Sequence, residues 1–158
     1  MVSVRPATAG DAPALSALAT RTWVDAFGAS VSAEDAAAEV EATRSEAYFT
    51  AALEDRTILV AEVEGALAGY VELGDAEVNR LYVETRLQGR GIGRFLMEAA
   101  LSHPRLAGAR RVSLQVWEEN VRALRLYESL GFRVVGTTAF TIGSGELVED
   151  LVLALERP

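Results

Sequence analysis

The segment Gln88-Gly89-Arg90-Gly91-Ile92-Gly93-Arg94-Phe95-Leu96 decides the fold, because the hydrophobic period changes across it. Before it, Ala76 to Val83 reads as a strand, the third of a consecutive series. From Gly91 onward Ile92, Phe95, Leu96, Ala99 and Ala100 fall at i, i+3, i+4, i+7 and i+8, one face of an amphipathic helix. A glycine-rich junction between a strand and a helix has a definite physical capacity. Its backbone N–H groups can approach an anion closely, and the helix N-terminus adds a positive dipole. The spacing G-x-G-x-G is not the G-x-G-x-x-G dinucleotide fingerprint, and no Gly-Lys-Ser/Thr follows as a nucleotide P-loop requires. Local charge agrees with a phosphate ligand. Arg80, Arg86, Arg90 and Arg94 are opposed only by Glu84, about +3 within a chain of net charge -8. On the loop alone, a purely structural glycine turn stays open as the alternative.

Working outward, Val2 to Val4 reads as a first strand. Asp11 is a candidate N-cap for a helix with Pro13 in its first turn, closed by Gly28. Ser32, with Asp35 three residues on, opens the Ala- and Glu-rich stretch Ala33 to Leu53, one or two further helices. Thr57 to Val63 and Leu67 to Leu73 flank Glu64-Gly65 and predict an antiparallel hairpin. Gly74-Asp75 turns again into Ala76 to Val83. Beyond the glycine loop, Arg111 to Val116 alternates as a strand, and Asn120 to Leu130 is helical, closed by Gly131. Val134 to Thr141 and Leu147 to Leu155 form a final pair around Gly143-Ser144-Gly145. The strand–helix–strand from Ala76 to Val116 requires a parallel crossover. The chain therefore reads as one mixed α/β layer domain spanning residues 1–158.

Composition narrows the chemistry. The chain has no cysteine, which removes disulfides, thiolate metal sites and cysteine nucleophiles. All fifteen basic residues are arginine, so a lysine nucleophile is absent as well. The acidic balance argues against nucleic acid, which needs a basic face. No apolar run reaches the length of a membrane helix, and the N-terminus lacks a signal-peptide pattern. The expectation is a cytoplasmic protein with no metal, no nucleic-acid partner and no membrane partner.

A second motif lies in Val116-Trp117-Glu118-Glu119-Asn120-Val121-Arg122-Ala123-Leu124-Arg125-Leu126-Tyr127-Glu128-Ser129-Leu130-Gly131-Phe132. Asn120 and Tyr127 are seven apart, so they share one helix face two turns apart. Two polar groups so placed can track an extended ligand. They can equally be an N-cap and an interior tyrosine. Taken together, the two motifs resemble the GNAT acetyltransferase superfamily. Its phosphate loop, Q/R-x-x-G-x-G/A, is met by Gln88, Gly91 and Gly93. Its later helix, N-x-x-A-x-x-x-Y-x-x-x-G-F, is met by Asn120, Ala123, Tyr127, Gly131 and Phe132.

The resemblance implies a GNAT fold, a mixed, mostly antiparallel splayed sheet of six to seven strands in the order β-α-α-β-β-β-α-β-α-β-β. It implies an N-acetyltransferase using acetyl-CoA as co-substrate, by direct attack of a primary amine in a ternary complex. The cofactor would wedge beside the Leu81-Tyr82-Val83 strand end, whose Leu81 and Val83 backbone groups would pair with pantetheine. Gln88, Gly89, Arg90, Gly91, Ile92, Gly93 and Arg94 would hold the pyrophosphate. Asn120 would bind the pantetheine arm. Tyr127 would be the catalytic acid toward the sulfur, and Glu77 the catalytic base on the strand ending at Val83. Strict alternation would put Glu77, Asn79, Leu81 and Val83 on one face, unless a bulge breaks the parity. His103, before Pro104, is assigned a helix C-terminal dipole role.

The acceptor is the open half. Asp25, Glu34, Asp35, Glu39, Glu41, Glu46, Glu54 and Asp55 face a single basic residue, Arg44, in the early helices. An acidic lip would steer a cationic amine, although a merely solvated face is the plain alternative. The runs Thr22-Trp23-x-x-x-Phe27, Val116-Trp117-Glu118-x-Asn120 and Phe140 to Asp150 look like the bacterial polyamine (spermidine/spermine) N-acetyltransferases. The expected partner is a small-molecule amine, and the family also contains homodimers. The alternatives are a protein N-terminal or lysine acetyltransferase and, in another class, a non-catalytic acyl-CoA-binding regulator.

Overall fold

A computed structural model describes residues 1–141 and 147–158. The Gly143-Ser144-Gly145 turn lies outside the described residues. The strands are β1 (Val2–Pro6), β2 (Thr57–Val63), β3 (Ala66–Leu73), β4 (Glu77–Val83), β5 (Arg111–Trp117), β6 (Arg133–Thr141) and β7 (Leu147–Glu156). The helices are α1 (Ala12–Phe27), α2 (Ala33–Thr43), α3 (Glu46–Asp55), α4 (Ile92–Ser102), α5 (Pro104–Ala107) and α6 (Val121–Ser129). The seven strands form one sheet in the order β1-β2-β3-β4-β5-β7-β6. Every neighbouring pair is antiparallel except β4 and β5, the two strands joined by the α4 crossover.

Local chemistry accounts for most boundaries. The Asp35 N–H donates to Ser32 Oγ (3.0 Å), and the Tyr48 N–H donates to Ser45 Oγ (3.1 Å). Those two N-caps split the Ala- and Glu-rich stretch into α2 and α3. Glu64 and Gly65 both have positive φ (52° and 79°), the signature of a two-residue hairpin turn whose twist matches the strands. In the next turn the left-handed residue is Ala76 (φ 54°), not Gly74. The short helix α5 was not apparent from the sequence. It also corrects the role given to His103, whose Nδ1 accepts the Arg105 N–H (3.1 Å) and caps α5. The imidazole therefore serves the start of one helix rather than the dipole at the end of another.

Two apolar clusters hold the layers. The larger one packs Ile92, Leu96, Met97 and Ala100 of α4, Leu106 of α5 and Tyr127 of α6 onto Val71, Leu73, Val78, Val112, Leu114, Val116 and Leu153. The smaller one packs Leu15, Leu18 and Ala19 of α1 and Phe49 of α3 onto Ile58, Val60 and Tyr70. Helices α4 to α6 thus cover one face of the sheet. Helices α1 and α3 cover the other face over β2 to β4, and among the described residues this smaller cluster draws nothing from β5, β6 or β7.

Asp11 does not cap α1 with its side chain. Its carboxylate instead accepts from both terminal guanidinium nitrogens of Arg5 (2.8 and 2.9 Å) and from the Thr8 N–H (2.7 Å). These contacts pin β1 to the start of α1. The Arg5 hydrogen bonds hold the Asp11 carboxyl down to about 2, despite an opposing contribution from burial. A depressed folded-state value means that this stability is present above the unfolded pKa of about 4 and lost as pH falls toward about 2. Asp11→Asn should cost about 1–2 kcal/mol at pH 7, a figure that allows for solvent screening of the half-exposed Arg5. Denaturant unfolding of both proteins between about pH 7 and pH 2 should show the difference shrinking as the pH falls.

Candidate active site

Strands β4 and β5 pair only at Glu77↔Ser113 and Val78↔Leu114. Beyond those positions β4 is bonded to β3 alone and β5 to β7 alone. The two strands diverge, leaving the facing edges of Leu81–Val83 and Gln115–Trp117 unpaired. Unpaired strand edges are a template for an added strand-like ligand.

One groove opens from this divergence on the α4/α6 side. Its walls are Leu81 and Val83 of β4, Leu87, Gln88, Gly89, Gly91, Ile92, Gly93 and Arg94 at the glycine junction, and Asn120, which precedes α6, with Arg122, Ala123, Leu126 and Tyr127 of α6. The fold therefore brings the two motifs to a single cavity. The three glycines differ in purpose. Gly89 and Gly91 have positive φ (83° and 85°), which only glycine adopts without strain. Gly93 is the closely packed one, since a Cβ there would sit 3.1 Å from Leu126 Cδ2. The first bond into α4 runs from the Phe95 N–H to the Gly91 carbonyl (3.0 Å). The N–H groups of Ile92, Gly93 and Arg94 precede it and have no helical acceptor, so they are free for an anion.

Gln88 also ties the junction to the strand, its side-chain amide donating to the Val83 carbonyl (3.2 Å). Asn120 Oδ1 accepts the Ala123 N–H (3.3 Å), so it caps α6 while its amide nitrogen remains available to the groove. Tyr127 is almost fully buried, with Phe132 at 5.9 Å in edge contact. Among the described residues its hydroxyl has no hydrogen-bond partner, yet it is not sealed from the groove. Burial raises its pKa well above the ordinary tyrosine value, with a smaller contribution from Tyr82, so the phenol stays protonated.

The sequence profile of the Acetyltransferase (GNAT) family matches residues 18–132, most of the chain and both motifs. The chain belongs to the GNAT acetyltransferase family. It is an acetyl-CoA-dependent N-acetyltransferase by that membership. It is 37% identical over 141 residues to an uncharacterised N-acetyltransferase of Mycobacterium tuberculosis, covering 85% of this chain and 90% of that protein. It is 32% identical over 79 residues to the spermine/spermidine N(1)-acetyltransferase of Bacillus subtilis, covering 49% of this chain and 51% of that protein. The fold superimposes on the PaiA N-acetyltransferase of Thermoplasma acidophilum in complex with coenzyme A, with a TM-score of 0.81, 20% identity and 99% of each chain covered.

Several positions stand apart from the GNAT groove. Arg90 is exposed and is not among the groove residues. The Tyr82 ring turns to the α1/α3 face, 5.5 Å from Tyr70, and its hydroxyl accepts from Arg44 (2.8 Å). Only the Tyr82 backbone belongs to the strand edge. Strict alternation fails in β4, because Leu73 pairs with Val78 while Glu72 pairs with Arg80. Asn79 is the inserted residue. Val78 therefore shares the face of Leu81 and Val83, and Glu77 turns to the opposite face. There Glu77 lines a small cavity with Asn79, Ser113, Gln115 and Val152, its carboxylate close over Gly74. Glu77, at the paired end of β4 and β5, and Tyr127 thus lie on opposite faces of the sheet.

Arg122 was missed. It lines the groove, and its Nη1 lies close enough to Gly89 that a Cβ there would meet it at 2.9 Å. The signal was its place one residue before Ala123 on the motif helix. The acidic residues of α2 and α3 do not enter the groove. Glu39 pairs with the buried Arg44 (2.9 Å), which also stacks over Trp23 at 5.3 Å. Among the described residues no group of three or more His, Asp or Glu side chains is placed to hold a metal, and no helix is long and apolar enough to cross a membrane.

Proposed function

We propose that this enzyme transfers the acetyl group of acetyl-CoA to the primary amine of a small cationic acceptor, in the cytoplasm, by direct attack in a ternary complex. The observation that carries the reading is the divergence of β4 from β5, with the glycine-lined groove on one side and an uncovered sheet face on the other. The cofactor supplies an activated thioester. The free N–H groups of Ile92, Gly93 and Arg94 hold the pyrophosphate, with Gly89, Gly91 and Arg122 shaping and charging the cradle. The Leu81 and Val83 edge and the Asn120 amide hold the pantetheine arm. The Tyr127 hydroxyl donates its proton to the departing sulfur.

The acceptor must be neutral to attack, since an ammonium has no lone pair. Glu77 takes that proton through water, reached from the sheet face opposite Tyr127. The arrangement separates base and acid by the sheet itself, so the proton leaving the amine and the proton reaching the sulfur use different groups. The partial likeness to the Bacillus subtilis spermine/spermidine enzyme supports a polyamine-like acceptor.

Thiol release from acetyl-CoA across an acceptor panel tests this reading. Spermidine and spermine should support turnover, and a peptide bearing a free N-terminus should not. The reverse result would reject the small-amine acceptor and favour a protein N-terminal acetyltransferase.

A further inference from the structure

The face of β5 and β7 opposite the groove carries a feature the reaction chemistry leaves unused. Val112, Leu114 and Val116 point into the α4/α6 core, so Ser113, Gln115 and Trp117 point the other way. Asp150 of β7 is the register partner of Trp117, and directly opposed residues of an antiparallel pair share a face. Trp117 lies against Phe27 of α1, ring centroids 5.1 Å apart, and Phe27 against Trp23 at 6.1 Å. The end of α1 is itself fixed to the turn after β4, where Arg21 pairs with Glu84 (2.6 Å) and the Thr85 hydroxyl donates to Asp25 (2.8 Å). The aromatic pair therefore spans the diverging strands on the acceptor side.

Asp150 sits across the strands from Trp117, part-buried. Among the described residues it has neither an ion-pair partner nor a hydrogen-bond partner, whereas the buried Glu72 pairs with Arg56 (3.2 Å) and Asp11 with Arg5. Burial raises the Asp150 pKa, which is the cost of an uncompensated carboxylate. A carboxylate across the strands from an indole that is itself packed against Phe27 is suited to an organic ammonium, by charge-assisted hydrogen bonding and by cation–π attraction. Trp117 lies three residues beyond Leu114, the last residue paired with β4, roughly 10 Å along the strand. A second cation three or four methylenes from the reacting amine falls within that span.

We propose that Asp150, with Trp117 and Phe27, forms the subsite for a second ammonium group of the acceptor, making the enzyme selective for diamines and longer polyamines over monoamines. The proposal rests on the small cationic amine reading above. The probes are 1,4-diaminobutane and n-butylamine, which differ by the second cation. The wild-type enzyme should favour the diamine in kcat/KM. Asp150→Asn should shrink that preference about tenfold, through the KM for the diamine rather than kcat. Asp150→Glu should restore part of it, and the KM for acetyl-CoA should hold within about twofold in both variants. If Asp150→Asn does not fold, Phe27→Leu, on a separate element, carries the same test. A diamine preference that survives the substitution overturns the subsite and leaves the small-amine reading intact. A wild-type enzyme that acetylates neither amine but acetylates a peptide N-terminus overturns both.

Discussion

Tyr127→Phe should lower kcat by roughly 10²–10³-fold while leaving the Kd for coenzyme A within about twofold. The substitution removes one oxygen. The ring keeps its edge contact with Phe132 and its place in the α4/α6 core. The hydroxyl has no partner among the described residues, so its loss leaves no buried group stranded. What disappears is a hydroxyl facing the groove, the proposed proton donor. Two measurements separate a chemical role from a structural one. Single-turnover thiol release reports the chemistry, and calorimetric titration with coenzyme A reports binding. A parallel drop in both, together with a lower Tm, would make Tyr127 a packing residue and remove it from the mechanism.

Gly93→Val should weaken coenzyme A binding by roughly thirtyfold, corresponding to about 2 kcal/mol of overpacking. A Cβ at this position meets Leu126 Cδ2 at 3.1 Å, Val83 Cγ2 at 3.8 Å and Leu81 Cδ2 at 3.9 Å. The first contact is with the end of a flexible side chain, so alanine is tolerable. Valine adds two branched carbons that must enter either the α4–α6 contact or the groove floor. Both are walls of the groove. Equilibrium titration with coenzyme A checks the loss, and an unchanged affinity would place the pyrophosphate away from this turn of α4.

The legible parts of this chain were those written in short-range chemistry. Glu64-Gly65 fixed a hairpin because a left-handed pair of residues admits few alternatives. The apolar spacing after Gly91 fixed α4, and Asn120 with Tyr127 fell on the groove side of α6 as their separation required. The unreadable parts depend on counting or on distant partners. A four-residue helix such as α5 has too few turns to show a period. The bulge at Asn79 leaves no mark in composition, since either parity of β4 offers an acceptable pattern. Arg122 belongs to the groove because the fold lays the start of α6 beside Gly89. Asp150 became visible only once the register of β7 against β5 set it across from Trp117.

The inserted residue in β4 bears on how relatives of this enzyme should be aligned. A strand with one extra residue carries two reading frames, one on each side of the insertion. Counting back from Val83 at even steps leads to a side chain on the wrong surface, whereas counting forward from the paired positions Glu77 and Val78 does not. Deleting Asn79 would merge the frames, bringing Val78 into regular alternation with Leu81 and Val83 on the core face and leaving Glu77 on the other. A comparison across the family that matches residues by their hydrogen-bonded partners on β3 and β5 will keep Glu77 on its own face, where one that matches them by number will not.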